Sequence, residues 1–456
     1  MSRSTQRNQR KKSSEANRED RITNLPEGVI SHILSRLPTK DAVRTCVLSK
    51  DWEYKWTHIY NIRIYDGIYN KRSRTGTKTV FVNFLERLLL LSQNVKSFQL
   101  SLSNKYALNR MTAWISAVLM RNVENFELTY LKDGIVLPRG LLNCTSLRKL
   151  KLRLLSSTFR VPTENCFPNL AILHLEGVEI LYTPSSTEPL KFIFPVLETC
   201  VLKKCKWSNV KIVELYAPAL TIFKSHPPED AQVNDYSIKI HGAKLIKFES
   251  SSNVLETFDM SNSRIAYATL LNSFRKYGPY LMNRDQDDLQ LLEKGGLQVR
   301  MLLKGFSCLK ELELSGDVAK AIAQSKHGVP LSRYNTLERL VIFSGSGETL
   351  LELLQAAPSL KYLVINEGIW VHYDYDAVQV VPMCISNSLE EVKFNSFDFS
   401  GKKPEFYLAE FLLKNAILLK KMHLHCAYRT AQENKIVEEL STVPTNSARC
   451  VTIVVT

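Results

Sequence analysis

The sequence lacks the features that mark secreted and membrane-spanning chains. Its nine cysteines are an odd number without regular spacing, which argues against a disulfide framework. No apolar run reaches the roughly 20 residues that cross a bilayer, and no N-terminal run resembles a secretory signal. We therefore expect a soluble protein of a reducing compartment, in the nucleus, the cytoplasm or both.

The sequence also lacks a recognisable catalytic or metal-binding motif. Residues 344–347 (SGSG) lack the GK[ST] ending of a phosphate loop, so we interpret them as a repeat turn. No CxxC or HExxH pair is present, although two groups contain metal-ligating residue types. These groups are His423, His425 and Cys426, and Cys200 with Cys205. We predict no metal, no cofactor and no catalytic residue.

Acidic residues are outnumbered by basic ones, and the formal net charge is +15. Part of the excess lies in residues 1–20, which lack hydrophobic periodicity and are predicted to be a disordered basic tail. Its Arg10-Lys11-Lys12 run could serve nuclear import or simply stay solvated. Nucleic-acid binding ranks low as a function because no basic motif interleaved with aromatics occurs. A steep salt dependence of binding to nucleic acid would support that function.

Residues 21–56 have the most specific pattern in the chain. Pro26 suits a first helical turn, and the apolar residues from Val29 to Leu37 follow at helical spacing until Pro38. Thr39 is expected to cap a second helix and Ser49 a third that carries Trp52 and Trp56. A unit this small buries little surface by itself, so some of its apolar side chains are available to another protein.

This stretch resembles the F-box of plant F-box proteins through Leu25-Pro26, Ile30, Ile33-Leu34, residues 37–43, residues 47–50 and Trp52. Asp51 departs from the pattern, because many relatives carry a basic residue there. The resemblance implies a small all-helical F-box, residues 21–65, that docks on the Skp-type adaptor of a cullin–RING ubiquitin ligase. The implied adaptor-binding residues are Leu25, Pro26, Ile30, Ile33, Leu34, Leu37, Pro38, Val43, Leu48 and Trp52. The alternative for about half of them is packing between the helices.

From about residue 94 the chain repeats a Leu-x-x-Leu-x-Leu pattern, mostly at intervals of 23 to 30 residues. The units open at Val95, Val123, Leu147, Leu170, Leu197, Leu220, Leu245, Leu255, Leu309, Leu337, Leu360, Leu389 and Leu419. Each unit supplies one strand with alternate inward residues, and such units must stack to bury them. Return segments such as Glu348–Ala357 look helical. We predict an α/β fold, with an irregular leucine-rich-repeat solenoid over residues 66–375.

The repeat is irregular in three places. The position that favours Asn or Cys is filled at Cys205 and Asn253 but rarely elsewhere. Leu245 and Leu255 are too close for both to open full units. Between Leu255 and Leu309 there is room for one cryptic unit or a helical insertion around 267–294.

The last part of the chain, residues 376–456, resembles the FBD domain that ends many plant F-box/leucine-rich-repeat proteins. The resemblance rests on Pro382 and Cys384, residues 389–392, Phe397, residues 410–416 and residues 419–422. Residues 405–418 have helical spacing and 419–424 start a strand. We interpret the segment as a C-terminal cap of the solenoid, a separate binding role being the alternative.

Residues between the inward leucines are expected on the outward face of the sheet. The candidate target-binding residues are Lys149, Lys151, Arg153, Lys203, Lys224, Arg339, Phe343 and Tyr362. Glu311, Glu313, Lys393, His423 and His425 share this face. A basic strip for an acidic partner or an anionic small molecule is one interpretation, and a solvated strand face is the other.

The combined resemblance implies a non-catalytic substrate-recognition subunit of an SCF-type ubiquitin ligase, with an unknown protein target. An F-box scaffold or a repeat-based binding module without ubiquitin transfer is the alternative. The sequence leaves the target unidentified.

Overall fold

The computed structural model describes residues 22–67, 77–162, 164–182, 188–226, 228, 236–241, 244–251, 257–259, 264–271, 286–325, 329–370, 373–425, 433–445 and 451–455. The predicted basic tail lies outside these residues, as do Asn253, Leu255 and Cys426. The chain divides into two compact units, residues 1–149 and 150–456.

The first unit opens with short helices. Helix α1 is Glu27–Leu34 and α2 is Thr39–Arg44, and they are followed by 3-10 turns at Thr45–Val47, Lys50–Trp52 and Lys55–His58. Strand β1, Asn61–Tyr65, then follows. The helical prediction for residues 21–65 is therefore wrong for the last five, where Ile62 and Ile64 alternate inward as strand residues do.

The predicted side-chain caps do not form. Thr39 is the first residue of α2 rather than its cap, and its hydroxyl accepts a hydrogen bond from the Arg63 backbone N–H at 2.8 Å. Ser49 precedes the second 3-10 turn without a capping bond. The Thr39 hydroxyl therefore ties the helices to β1, a long-range role that local spacing does not reveal.

Two helix–strand pairs complete the first unit. Helices α3 (Thr77–Leu91) and α4 (Leu108–Leu119) alternate with strands β2 (Ser97–Leu102) and β3 (Asn125–Tyr130), and a 3-10 turn follows at Arg139–Leu141. Strands β1, β2 and β3 pair in parallel. The buried Asp66 follows β1, and its carboxylate accepts hydrogen bonds from Ser103 N and Asn104 N, which fixes the turn after β2.

The second unit contains a large, mostly parallel sheet. Its strands are β4 (Lys149–Val161), β6 (Ile172–Tyr182), β8 (Thr199–Lys203), β11 (Ile222–His226), β13 (Lys247–Ser250), β15 (Tyr267–Leu270), β16 (Glu311–Leu314), β17 (Arg339–Gly345), β18 (Tyr362–Ile369), β19 (Glu391–Phe394), β20 (Lys421–Leu424) and β21 (Thr452–Val455). They are neighbours in that order. The short strand β9, Lys206–Ser208, pairs with the end of β6.

Every predicted unit has a strand that starts two residues after the opening Leu or Val. The parallel sheet and its alternating inward residues are thus confirmed. Two further strands start two residues after an isoleucine, β1 after Ile59 and β15 after Ile265, and both isoleucines are fully buried. The Leu/Val pattern missed them because Ile fills the same inward position.

A second sheet was not predicted. Strands β5 (Glu164–Cys166), β7 (Leu190–Ile193), β10 (Ile212–Tyr216), β12 (Ser237–His241) and β14 (Thr257–Asp259) form a parallel sheet of five strands. The return segments of these middle units are therefore strands, and the helical expectation is wrong for them. Alternating apolar residues such as Leu190 and Phe192, or Val213 and Leu215, bury one face of each strand, the period-2 pattern of a β-strand.

The irregular middle of the repeat is now explained. The strand predicted after Leu255 is β14 of the second sheet, so only Leu245 opens a strand of the large sheet there. The following gap holds both the cryptic strand β15 and the helix α5, Gln286–Lys304. Cys205 is buried, and its thiol hydrogen-bonds Leu175 O at 3.5 Å, as expected for a side chain that satisfies turn carbonyls.

Helices return in the later units. They are α6 (Gly316–Gln324), α7 (Gly347–Ala356), α8 (Met383–Asn387), α9 (Pro404–Asn415) and α10 (Glu433–Ser441), with a 3-10 turn at Tyr375–Ala377. The predicted helix and strand near 405–424 are confirmed as α9 and β20. Strand β19 pairs with β18 and β20, so residues 376–456 continue the large sheet.

A buried ion pair joins α5 to α7. Arg300 is 1% exposed, and its Nη1 and Nη2 atoms lie 2.6 and 2.9 Å from the two carboxylate oxygens of Glu352. Arg300 also donates to Ser325 Oγ at 3.0 Å and to Ile322 O at 2.9 Å. The guanidinium therefore fastens the inserted helix to the later repeats. Among the described helices, none combines the length and apolar character needed to cross a membrane.

We expect Glu352→Ala to lower the free energy of unfolding by about 3 kcal/mol, because the substitution leaves a buried guanidinium charge unpaired. Urea unfolding followed by circular dichroism measures this change. The matched control is Glu338→Ala, which removes the exposed pair with Lys361 and should leave the unfolding midpoint unchanged. Equal effects of the two substitutions would contradict the assigned role of Arg300.

Candidate functional site

Helix α1 carries two apolar stripes that face opposite environments. Ile30 and Leu34 are buried within the first unit, whereas Val29, Ile33 and Leu37 are 43%, 46% and 40% exposed. Val29 and Ile33 are four positions apart and so lie on one side of the helix, and Leu37 follows in the turn after its end. An ordered surface that leaves such a stripe in water is typical of a binding site for another protein.

The ten predicted adaptor-binding residues divide into three groups by burial. Ile30, Leu34 and Trp52 are buried in the unit, and Leu25 and Val43 are half-buried. The exposed ones are Pro26, Ile33, Leu37, Pro38 and Leu48. The packing alternative therefore describes the first group, and the last group is free to contact a partner.

Two exposed residues were missed by the sequence prediction. Val29 and Val47 were not among the ten predicted adaptor-binding residues, yet Val29 is 43% exposed and Val47 is 82% exposed next to the 66% exposed Leu48. The helix was expected to continue through Val47, but α2 ends at Arg44 and a 3-10 turn follows. This change of helical pitch rotates Val47 outward. We name Pro26, Val29, Ile33, Leu37, Pro38, Val47 and Leu48 the apolar F-box surface.

Polar contacts behind this surface hold the short helices in place. The indole N–H of Trp52 donates to Thr23 Oγ1 at 2.8 Å, and Ser35 Oγ accepts from Tyr60 N at 3.0 Å. Together with the Thr39 contact to Arg63, these bonds join segments that are distant in the chain. The apolar F-box surface is therefore supported by side chains that point away from it.

The outward face of the large sheet carries the candidate target-binding residues, and most of its cations are paired. Arg153 Nε lies 3.2 Å from Glu176 Oε2, and Arg339 Nε lies 3.1 Å from Glu311 Oε1. Lys224 pairs with Glu249 on the adjacent strand. In the first unit, Lys149 pairs with Glu127. The predicted basic strip is thus largely neutralised by cross-strand carboxylates.

The other candidates on this face are not joined in one cluster. Tyr362 is exposed and Phe343 is half-buried, and His423 Nε2 lies 3.2 Å from Glu391 Oε1. Lys151 and Lys203 have no carboxylate within 4 Å among the residues that the structure describes. These two lysines are the exceptions to the pairing pattern.

His226 and Glu249 form the polar centre of β11 and β13. His226 Nε2 lies 3.1 Å from Glu249 Oε1, and Nδ1 lies 2.7 Å from Ser251 Oγ. Burial lowers the pKa of His226, although Glu249 opposes the shift. Burial disfavours the Glu249 carboxylate, but the hydrogen bond and charge of Lys224 and the other positive charges nearby together outweigh burial and lower the pKa of Glu249. The neutral ring and the charged carboxylate form an internal network.

Within the described ranges, no group of three or more His, Cys, Asp or Glu side chains is placed to hold a metal ion. Cys200 and Cys205 are both buried inward residues of the repeat. Residues 344–347 end β17 and start α7, and Ser346 Oγ accepts from Thr349 N at 3.2 Å. The glycine-rich run is therefore a strand end and a helix cap, as the repeat-turn interpretation predicted.

Comparison with protein families identifies both ends of the chain. Residues 22–63, which form the helices, β1 and the apolar surface, match the model of the F-box domain. Residues 379–424, from α8 to β20, match the FBD model. The chain carries an F-box and an FBD domain. The resemblance found in the sequence is confirmed at both places.

Relatives of this F-box/FBD chain extend over nearly its whole length. It is 23% identical to the F-box/FBD/LRR-repeat protein At2g26030 of Arabidopsis thaliana, over 96% of this chain and 99% of that protein. It is 27% identical to the F-box/FBD/LRR-repeat protein At5g22660 of the same plant, over 95% of this chain and 96% of that protein. The similarity to these plant F-box/FBD/LRR-repeat proteins thus extends over both units.

The reactivity of cysteine thiols tests whether Cys200 and Cys384 lie inside the fold. Burial raises the pKa of both Cys200 and Cys384 to about 12, so their thiolates are scarce and covered. We expect iodoacetamide at pH 8 to alkylate the exposed Cys166 in the native protein and to modify Cys200 and Cys384 only after unfolding. Mass spectrometry of peptides labelled with and without urea measures this difference. Native-state labelling of Cys200 would contradict its inward position.

Proposed function

We propose that this protein is a substrate-recognition subunit of an SCF-type E3 ubiquitin ligase. F-box proteins of this kind are generally SCF substrate adaptors, and the F-box domain generally implies binding to a Skp-type adaptor. The observation that carries the proposal is the exposed apolar F-box surface within the matched residues. Unpartnered apolar side chains on rigid helices suit a permanent protein–protein contact.

The adaptor contact is proposed for the exposed residues rather than for all ten that the sequence suggested. Val47 and Leu48 are its most exposed members, and Val29, Ile33 and Leu37 extend it. Ile30, Leu34 and Trp52 act indirectly, because they pack beneath the surface and hold it. Large side chains at the centre of such a patch usually carry most of the binding free energy.

The second unit is proposed to bind the target. Its successive parallel strands, each started by an inward Leu, Val or Ile, support the leucine-rich-repeat solenoid expected for residues 66–375, and the FBD-type segment is proposed to cap its end. The outward strand residues are then the target-binding face. Holding a target near a charged ubiquitin-conjugating enzyme makes lysine attack effectively intramolecular, so this chain needs no catalytic residue.

This function places the protein in the nucleus or the cytoplasm. F-box/LRR proteins are typically non-catalytic adaptors, and we extend that property to this chain. An F-box scaffold that binds the adaptor without ubiquitin transfer differs from this proposal only in the last step. Ubiquitination of a co-purifying partner by the reconstituted complex distinguishes the two.

Co-expression of the full chain with a plant Skp-type adaptor tests the F-box surface. We expect the Leu37→Asp/Leu48→Asp double variant to lower the recovered adaptor by roughly 30-fold or more, because two charges enter an apolar contact. The matched control is Leu90→Asp/Met120→Asp, which places the same charges at residues 78% and 83% exposed elsewhere in the first unit. Equal adaptor recovery by the two variants would reject the proposed surface.

A further inference from the structure

The two sheets of the second unit differ in how their charged outward side chains are paired. Across the outer face of the smaller sheet, Glu164, Lys191, Glu214 and Lys239 align on β5, β7, β10 and β12 with alternating sign. Lys191 Nζ lies 3.2 Å from Glu164 Oε1. Opposite charges on adjacent strands stabilise a sheet, so this surface is balanced without a ligand.

The outward face of the large sheet is not balanced in this way at its β4, β6 and β8 strands. Lys203 on β8 aligns with Glu176 on β6, but the Glu176 carboxylate is taken by Arg153 on β4. Lys151 lies two residues before Arg153 and is therefore beside His174, which lies two residues before Glu176. No residue in the described part of the chain supplies a carboxylate within 4 Å of Lys151 or Lys203.

His174 lies between the two unpaired lysines. Burial is the main cause of its lowered pKa, and the positive charges of Lys203 and then Lys151 lower the pKa further. The ring is therefore neutral and does not relieve the surrounding positive charge. Its Nε2 atom is buried, and none of the described groups hydrogen-bonds to it. An unsatisfied buried polar atom costs free energy, and the half-buried Lys151 and Lys203 near it have no carboxylate among the described residues to offset their charge.

We propose that Lys151, His174 and Lys203 form a recognition site for an acidic segment of a polypeptide, the target of the proposed ligase. This inference rests on the proposed function for the identity of the partner, and on the unpaired charges for its chemistry. Carboxylates of the segment would pair with the two lysines through charge-assisted hydrogen bonds, and the neutral His174 ring between them would leave both lysine charges to the segment. Among the predicted target-binding residues, Arg153 and Lys224 are then supporting residues, because their charge is already satisfied.

The spacing of the site suits an extended peptide. Neighbouring strands are about 4.8 Å apart and alternate residues of a strand about 6.6 Å apart. The backbone positions of Lys151 and Lys203, two strands and one such step apart, are therefore separated by roughly 12 Å, within the reach of two lysine side chains and two acidic side chains of one segment. Glu176 and Glu249, which lie on the same face, are already paired with Arg153 and Lys224 and so do not occupy the two lysines. The binding test therefore compares an acidic peptide with a single-stranded nucleic acid.

The test is fluorescence anisotropy of a labelled peptide in which glutamate alternates with alanine, titrated with the full chain at 0.15 M salt. We expect the Lys151→Ala/Lys203→Ala variant to bind it about tenfold more weakly, because two charge-assisted contacts are lost. The matched control is Lys191→Ala/Lys239→Ala, which removes the same net charge from the smaller sheet. It should bind like the native chain, and circular dichroism should show the same native secondary structure for all three proteins.

Two results would overturn the inference. One is equal weakening by the two double variants, which would make the interaction a general effect of net charge. The other is a single-stranded oligothymidylate that binds more tightly than the peptide and depends on Lys151 and Lys203. Adaptor co-purification of the same variants separates this failure from that of the ligase proposal. If the native chain binds the peptide but not the adaptor, the ligase proposal fails while the site remains.

Discussion

The fold depends on one constraint, that a strand of a parallel sheet buries its inward side chains only against its neighbours. Cys200, Phe223 and Phe248 align in register across β8, β11 and β13, and the rings of Phe223 and Phe248 stack with centroids 6.0 Å apart. Each unit thereby completes the core of the unit before it. The sequence between strands is then free to vary, provided that it returns the chain to the same position.

That freedom explains why the return segments change type along the second unit. In the middle units they form a second parallel sheet, with Phe192 and Phe194 stacked 5.8 Å apart beneath it. In the later units they are helices, of which α7 begins at a serine cap and α9 at Pro404. The inserted α5 contributes a charge, Arg300, which is tolerated in the interior because Glu352 and three further groups satisfy its donors.

The two proposed binding surfaces are recognised by what the protein leaves unsatisfied. The F-box holds its helices with Ile30, Leu34 and Trp52 and leaves the neighbouring apolar stripe in water. The large sheet pairs four of the six candidate cations with glutamates, whereas Lys151 and Lys203 have no carboxylate within 4 Å among the described residues. In both cases the neighbouring side chains are buried or paired within the chain. The exposed apolar side chains and the two lysines are therefore proposed to contact partners.

The sequence alone determined most strands of the large sheet, because an inward Leu or Val two residues before each of them is a local pattern set by alternation along the backbone. It also identified the F-box and FBD segments through their residue order. Tertiary structure decided the rest. Whether Val47 or Val43 faces inward depends on where the second helix ends, which is Arg44. Whether Lys224 or Lys203 forms an ion pair with a described carboxylate depends on which glutamate the adjacent strand presents. Neither is encoded within one segment, since both are set by contacts between residues far apart in the chain.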